Sequence, residues 1–139
     1  MTPNICANDN NVSVVWVNNA LNDWYGCNNA NRILAYTYTD NGWGNVVNLK
    51  SSLTSIRSID AQYIGNVLNT IYSIDTDNNV ETVSDIYTYL LRNSSNTIIK
   101  SNSGVVNSAI IRNGTIYWQE NGNIMYCDVN NLSVINSIF

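Results

Sequence analysis

Residues 11–49 read NVSVVWVNNALNDWYGCNNANRILAYTYTDNGWGNVVNL. In VSVVWV and ILAYTY, β-branched and aromatic residues alternate with others or run together, which is typical of strands. A long polar loop separates the two runs, and the turn signal Asp40-Asn41-Gly42 precedes a further apolar run. The stretch therefore predicts the second, third and fourth strands of one antiparallel sheet, with residues 4–8 as its first strand.

The same order of strands recurs twice later in the chain, in weaker copies. The predicted first strands are residues 4–8, 58–64 and 106–112, and the fourth strands are 45–50, 96–101 and 132–138. The second strands are 12–17, 69–74 and 115–120, which align Trp16 with Tyr72 and Trp118. The third strands are 32–39, 85–91 and 123–129, which align Ile33 with Ile86 and Ile124. A repeat of about 40–50 residues with four strands is typical of β-propeller blades.

We therefore predict an all-β chain, a β-propeller of four-stranded antiparallel blades with three blades per chain. The whole chain, residues 1–139, is expected to form a single domain, with blades at approximately 1–50, 51–102 and 103–139. Asparagine makes up about a fifth of the residues, and its neutral amide favours turns and loops over helices.

Charge and hydropathy exclude two classes of partner at this stage. The net charge is −4, so no basic surface is available to attract phosphate backbones, and we expect no nucleic-acid partner. No apolar run approaches the roughly 20 residues that a membrane-spanning helix needs, so we expect no membrane span. The amino terminus also lacks the basic start and apolar stretch of a signal peptide.

The first blade carries a resemblance to a known repeat type. The run from WVNN to the Asp40–Trp43 turn, followed by GNVVNL, resembles a blade of the sialidase-like β-propellers of bacterial and archaeal surface proteins. In such blades a strand ending in Trp is followed by a loop, an I-x-Y-type third strand and a D-x-G-W turn. The chain lacks the S-x-D-x-G-x-T-W Asp-box of sialidases proper. The resemblance implies a propeller fold and, by analogy, a location outside the cell or at its surface.

Three blades leave a propeller ring incomplete. Propellers close with about four to eight blades, and an open arc would expose an apolar sheet face at each end. We therefore expect a homodimer in which two three-bladed halves form a six-bladed ring. The rival interpretation is that the chain is a piece of a longer propeller, with glycosidase-like or sialidase-like activity as the alternative function.

The loop at residues 18–31 is the first candidate binding site. It carries Asn22, Asp23, Trp24 and Tyr25, and aromatic rings beside amides and a carboxylate are typical of a sugar-binding platform. The alternative is that Trp24 and Tyr25 fold back as a small core within the loop. The prediction is a non-catalytic binding or scaffolding module that recognises glycans or surface proteins.

A second candidate is the acidic turn DTDNNVETVSD at residues 75–85. Asp75, Asp77 and Asn79 place oxygen ligands at alternate positions, as at the start of a calcium loop. Val80 stands where an EF-hand requires glycine, so a solvated acidic turn is the alternative. Calcium is thus the single candidate metal, and no other cofactor is expected.

The sequence assigns no catalytic residue. It contains no histidine, which is the most common general base, and no serine-nucleophile or phosphate-loop motif. The three cysteines, Cys6, Cys27 and Cys127, have no metal-ligand spacing. They are expected to be isolated thiols, with one disulfide as the alternative in an exported protein.

Overall fold

The computed structural model describes residues 3–19, 30–51, 56–75, 86–92, 95–100, 106–120 and 122–138. Within these ranges the chain forms thirteen β-strands in three antiparallel sheets. The described residues include no helix that is long and apolar enough to cross a membrane. The predicted all-β class and the four-stranded antiparallel organisation are therefore confirmed.

The first sheet contains five strands. They are β1 (Asn4–Ala7), β2 (Val12–Asn19), β3 (Ala30–Thr39), β4 (Gly42–Trp43) and β5 (Val47–Ser51). Strands β1 to β4 follow one another across the sheet, and β5 also pairs with β3. The fourth strand that we expected at residues 45–50 is observed as β5, and the additional short strand β4 precedes it on the same side of β3.

The other two sheets are four-stranded meanders in chain order. The second sheet consists of β6 (Ile56–Ile64), β7 (Val67–Asp75), β8 (Ile86–Arg92) and β9 (Ser95–Lys100). The third consists of β10 (Val106–Arg112), β11 (Thr115–Glu120), β12 (Asn123–Asp128) and β13 (Asn131–Ser137). These strands agree with the predicted ones to within about two residues at each end.

The strand register shows that the two predicted alignments disagree in the second sheet. Trp16 pairs with Leu34 across β2 and β3, as Trp118 pairs with Met125 and Tyr72 with Tyr89 in the other sheets. When these three aromatic residues are equivalent, the residue before each partner is Ile33, Ile124 and Thr88. With the aromatic residues aligned, Ile86 therefore does not correspond to Ile33, because the apolar pattern alone could not fix the register of β8.

Tight turns join the first and second strands of the later two sheets. Asn113 and Gly114 have φ values of 50° and 76°, as a two-residue type I′ hairpin requires at both central positions. Gly65 has a φ of 58° in the corresponding turn between β6 and β7. In the first sheet the connection is longer, and the Asn8 side chain accepts hydrogen bonds from the backbone N–H groups of Asn10 and Asn11.

The sheets pack face to face in chain order, and strand β7 of the second sheet contributes to a core on each of its faces. We call the face toward the following sheet the front face and the face toward the preceding sheet the back face. Tyr72 on the back face packs with Val15, Ile33 and other residues of the first sheet. Ile71, the adjacent residue on the front face, packs with the third sheet. Alternate residues of one strand thus belong to two different cores.

Hydrogen bonds between the first and second sheets show that β1 and β6 run in the same direction. Asn4 Nδ2 donates to the carbonyl of Ile59 at 2.9 Å, and Asn8 Nδ2 donates to the carbonyl of Gly65 at 2.9 Å. The two contacts advance together along both strands. The turns that follow β1 and β6 therefore lie at the same end of the stack.

Hydrogen bonds between the second and third sheets show that β6 and β10 also run in the same direction. Ile111 N donates to Asp60 Oδ2 at 2.9 Å, and Gly114 N donates to Gln62 Oε1 at 3.3 Å. All three connections between first and second strands therefore lie at one end, which we call the hairpin end. The opposite end, where the second strands finish and the third strands begin, is the loop end.

Asp60 is a buried carboxylate that joins two sheets. It is 6% exposed on the front face of β6. Its Oδ2 accepts from the Ile111 backbone N–H and from Nη1 of Arg112, which also forms an ion pair with it. A carboxylate in this environment is tolerated because both the backbone donor and the guanidinium compensate its lost hydration.

Replacing Asp60 with alanine should lower the free energy of unfolding by about 1–3 kcal/mol, because the Ile111 N–H would be left without its acceptor in the core. The matched control is Gln62→Ala, which removes a longer and more accessible link between the same sheets. It should cost only about 0.5 kcal/mol. Urea-unfolding midpoints measure both values, and an Asp60→Ala variant as stable as Gln62→Ala would contradict this role.

Candidate binding faces

The predicted sugar-binding residues Asn22, Asp23, Trp24 and Tyr25 lie outside the described residues. The strands on either side of them are described. Asn19 at the end of β2 pairs with Ala30 at the start of β3, so the segment between them begins and ends at the loop end of the first sheet. The sugar-binding platform stays a prediction.

Of the three predicted calcium ligands, only one lies within the described residues. Asp77 and Asn79 lie outside the described residues, whereas Asp75 is the last residue of β7 and pairs with Ile86. The acidic segment thus begins and ends at the loop end of the second sheet. In the part of the chain that the structure describes, no cluster of three or more acidic or cysteine side chains could hold a metal ion.

The back face of the first sheet carries apolar side chains that neither of the other two described sheets covers. Ile5 on β1 is 72% exposed, and Trp43 on β4 is 51% exposed. Trp16 on β2 and Tyr36 on β3 are half-buried on the same face. We call this surface, defined by these four residues, the open back face.

An aromatic cluster forms the outer part of the open back face. The Tyr36 and Trp43 rings are stacked with their centroids 4.4 Å apart and an interplanar angle of 17°. Tyr38 meets Trp43 edge to face at 5.4 Å. The D-x-G-W turn explains this placement, because Gly42 has a φ of 92° and returns the chain so that Trp43 pairs with Tyr38.

The front face of the third sheet is open in the same sense. Ile110 and Ile124 are 40% and 42% exposed on it. Tyr117 and Tyr126 pair across β11 and β12, and their ring centroids lie 6.1 Å apart. We call this surface, defined by these four residues, the open front face.

A shallow pocket of about 250 Å³ lies on the open front face toward the hairpin end. Its lining combines the two tyrosine rings with one carboxylate, two amides, a hydroxyl and an aliphatic side chain. The lining residues are Thr115, Tyr117, Tyr126, Asp128, Asn131, Val134 and Asn136. Such a surface can bury an apolar group while the polar rim keeps its own hydrogen bonds.

Equivalent positions of the repeat differ in burial according to whether a sheet covers them. On the back faces, Tyr72 is 0% exposed and Trp118 is 1% exposed, whereas the equivalent Trp16 is only half-buried. On the front faces, Ile33 is 0% exposed and the equivalent Ile124 is 42% exposed. The differences follow the position of each sheet in the stack and not the type of residue.

The two described cysteines are far from each other in the fold and are free thiols. Cys6 packs against the core between the first and second sheets, and Cys127 is buried in the core between the second and third. Burial raises the pKa of Cys6 from 9.0 to about 11, with a smaller contribution from the charge of Asp60. Burial raises the pKa of Cys127 likewise to about 11, with Asp128 as the smaller contribution. Both thiols are therefore protonated and weakly nucleophilic at neutral pH.

In a Cys27→Ser variant, Cys6 and Cys127 should react with iodoacetamide at pH 8 at least about 100-fold more slowly in the native protein than after unfolding. Each raised pKa also means that the thiol loses its proton at a lower pH in the unfolded chain than in the native protein. The contribution of these thiols to stability is therefore complete below about pH 9 and is lost as the pH rises toward 11. Equal labelling rates in the native and unfolded states would contradict the burial of both thiols.

No protein-family model matches the chain, and no curated protein sequence matches it.

Proposed function

We propose that this chain is a non-catalytic scaffolding and binding module of the β-propeller type, in which two chains of three blades each form a six-bladed ring. The observation that carries the proposal is the pair of open apolar faces at the two ends of the stack. The free energy released by covering them is the driving force for association.

The two open faces are the complementary halves of a packing arrangement that already occurs twice within the chain. A front face meets a back face between the first and second sheets, and again between the second and third. A third contact of this kind is available only between the open front face of one chain and the open back face of another. Two such contacts would leave neither face in water.

The symmetry of this contact explains why association would stop at two chains. A front-to-back interface joins different surfaces of the two partners, so it produces a closed ring when the rotation per sheet divides the circle and a filament when it does not. Six blades lie within the range of about four to eight in which propellers close. The parallel arrangement of the inner strands β1, β6 and β10 supports a radial repeat.

Light scattering on a sizing column should give a mass of about 31 kDa, twice the 15.5 kDa of one chain, at micromolar concentration. The mass should stay constant over a tenfold increase in concentration, because a closed ring has no free face. A 15.5 kDa species under these conditions would contradict the proposal and favour a piece of a longer propeller.

Ligand recognition belongs to the loop end in this proposal. The first strands of all three sheets run in the same direction, so a ring would carry the segments at residues 20–29 and 76–85 of both chains on one side. Glycans or surface proteins at the cell exterior are the proposed ligands, because aromatic rings beside amides and carboxylates suit sugar hydroxyls and C–H faces.

A glycan array should show binding that a Trp24→Ala, Tyr25→Ala double variant loses by at least about tenfold with no change of mass in solution, because the rings supply the stacking surface. The matched control is Asn10→Ala, which changes an exposed residue at the hairpin end and should bind like the original protein. Retained binding by the double variant would contradict the assignment of the ligand to this loop.

A further inference from the structure

We propose that the side chain of Trp16 in one chain packs on Tyr117, Ile124 and Tyr126 of a second copy, and that this contact closes the ring. The inference rests on the proposed function, because it identifies the residues of the same self-association. It goes beyond that function by fixing which face meets which and in what register.

The internal packing shows where the second-strand aromatic residue of each sheet goes. Tyr72, on the back face of β7, lies in one core with Val15, Ile33 and Ala35, which are front-face residues of the preceding sheet. Trp118, on the back face of β11, packs in one core with Ile71 of the preceding sheet. Tyr72 thus shares a core with front-face residues of both the second and the third strand before it, and Trp118 shares one with a front-face residue of the second strand.

Strand register identifies the equivalent receiving residues on the third sheet. Because Trp118 pairs with Met125 as Trp16 pairs with Leu34, the neighbours of each pair correspond one to one. Tyr117 then takes the place of Val15, Ile124 takes the place of Ile33, and Tyr126 takes the place of Ala35.

These three receiving residues lie together on the front face of the third sheet, and neither core of the described residues includes them. Ile124 is 42% exposed, and the rings of Tyr117 and Tyr126 are inclined to each other by 32°. The pocket of about 250 Å³ that both tyrosines line lies beside them. A tryptophan ring can pack edge to face on tyrosine rings in this arrangement and exclude water from all three.

Ile5 supports the same pairing from the neighbouring strand. In the second sheet, the back-face residues Ile59 and Ala61 of the first strand join Tyr72 in the core with the preceding sheet. Ile5 is the corresponding back-face residue on β1, and at 72% exposed it is the most accessible large apolar side chain of the described chain. In the ring it would lie next to Trp16 against the second copy.

The test uses one charged substitution on each face. Trp16→Glu alters the back face and Ile124→Glu alters the front face, while Asn10→Asp adds the same charge at the hairpin end as a control. Loss of a central aromatic contact typically weakens an interface by about 30-fold, and each homodimer would contain two altered interfaces. Both variants should therefore be monomers at a concentration at which the original protein and the control are dimers.

Mixing the two variants distinguishes this pairing from the alternatives. A Trp16→Glu chain keeps an intact front face and an Ile124→Glu chain keeps an intact back face, so a mixed pair has one original interface. Native mass spectrometry of an equimolar mixture should detect that mixed dimer at concentrations at which neither variant alone dimerises. Circular dichroism checks the fold, and Ile5→Glu, at an exposed position, replaces Trp16→Glu if the latter unfolds.

Each outcome separates this inference from the proposed function. If the original protein is a monomer, both fail. If the original protein is a dimer and Ile124→Glu remains one, self-association stands and the pairing of Trp16 with the third sheet is wrong. If both variants are monomers but no mixed dimer forms, each face contacts the same face of the other chain. The front-to-back pairing is then wrong.

Discussion

A β-sheet with apolar side chains on both faces must be covered on both faces, and the rest of this structure depends on that constraint. The second sheet meets it, because its alternate residues Ile71 and Tyr72 enter two separate cores. In the part of the chain that the structure describes, the first and third sheets contribute to a core on one face only. Burial of apolar area contributes roughly 25 cal/mol per Å². Covering the two remaining faces would therefore release a substantial free energy of association.

Polar groups determine how the sheets are placed relative to one another. The apolar cores would tolerate some sliding, since hydrophobic contact has no fixed direction. The hydrogen bonds from Asn4 to Ile59 and from Ile111 to Asp60 join a side chain of one inner strand to the backbone of the next. Ser13 adds a further link, because its hydroxyl lies 2.7 Å from that of Tyr63. These directional contacts limit how far one sheet can slide along the next.

Much of the fold could be predicted from the sequence, because strand periodicity and turn residues are local signals. VSVVWV and ILAYTY give strands of the first sheet, and Asp40-Asn41-Gly42 gives a turn at the predicted place. The register of β8 was less accessible, since Ile86 and Thr88 both fit a strand and only pairing with β7 separates them. The additional short strand β4 was not predicted either, because it depends on pairing with β3.

The candidate sites, unlike the strands and turns, could not be located from the sequence. The composition of the loops suggested Trp24, Tyr25 and Asp77 as ligand-binding residues, but composition does not determine where loop side chains lie. The two open faces were expected in general terms, whereas Tyr117, Ile124 and Trp43 were not identified as their members. The signal was present in VSVVWV, where apolar residues at adjacent positions indicate a strand that needs cover on both faces.

Small-angle X-ray scattering of the purified protein tests the central claim most directly, because it reports mass and shape together. The account predicts a dimer whose distance distribution is that of a compact closed ring and does not change with concentration. A monomeric arc of three sheets, or an extended assembly that lengthens as the concentration rises, would contradict it.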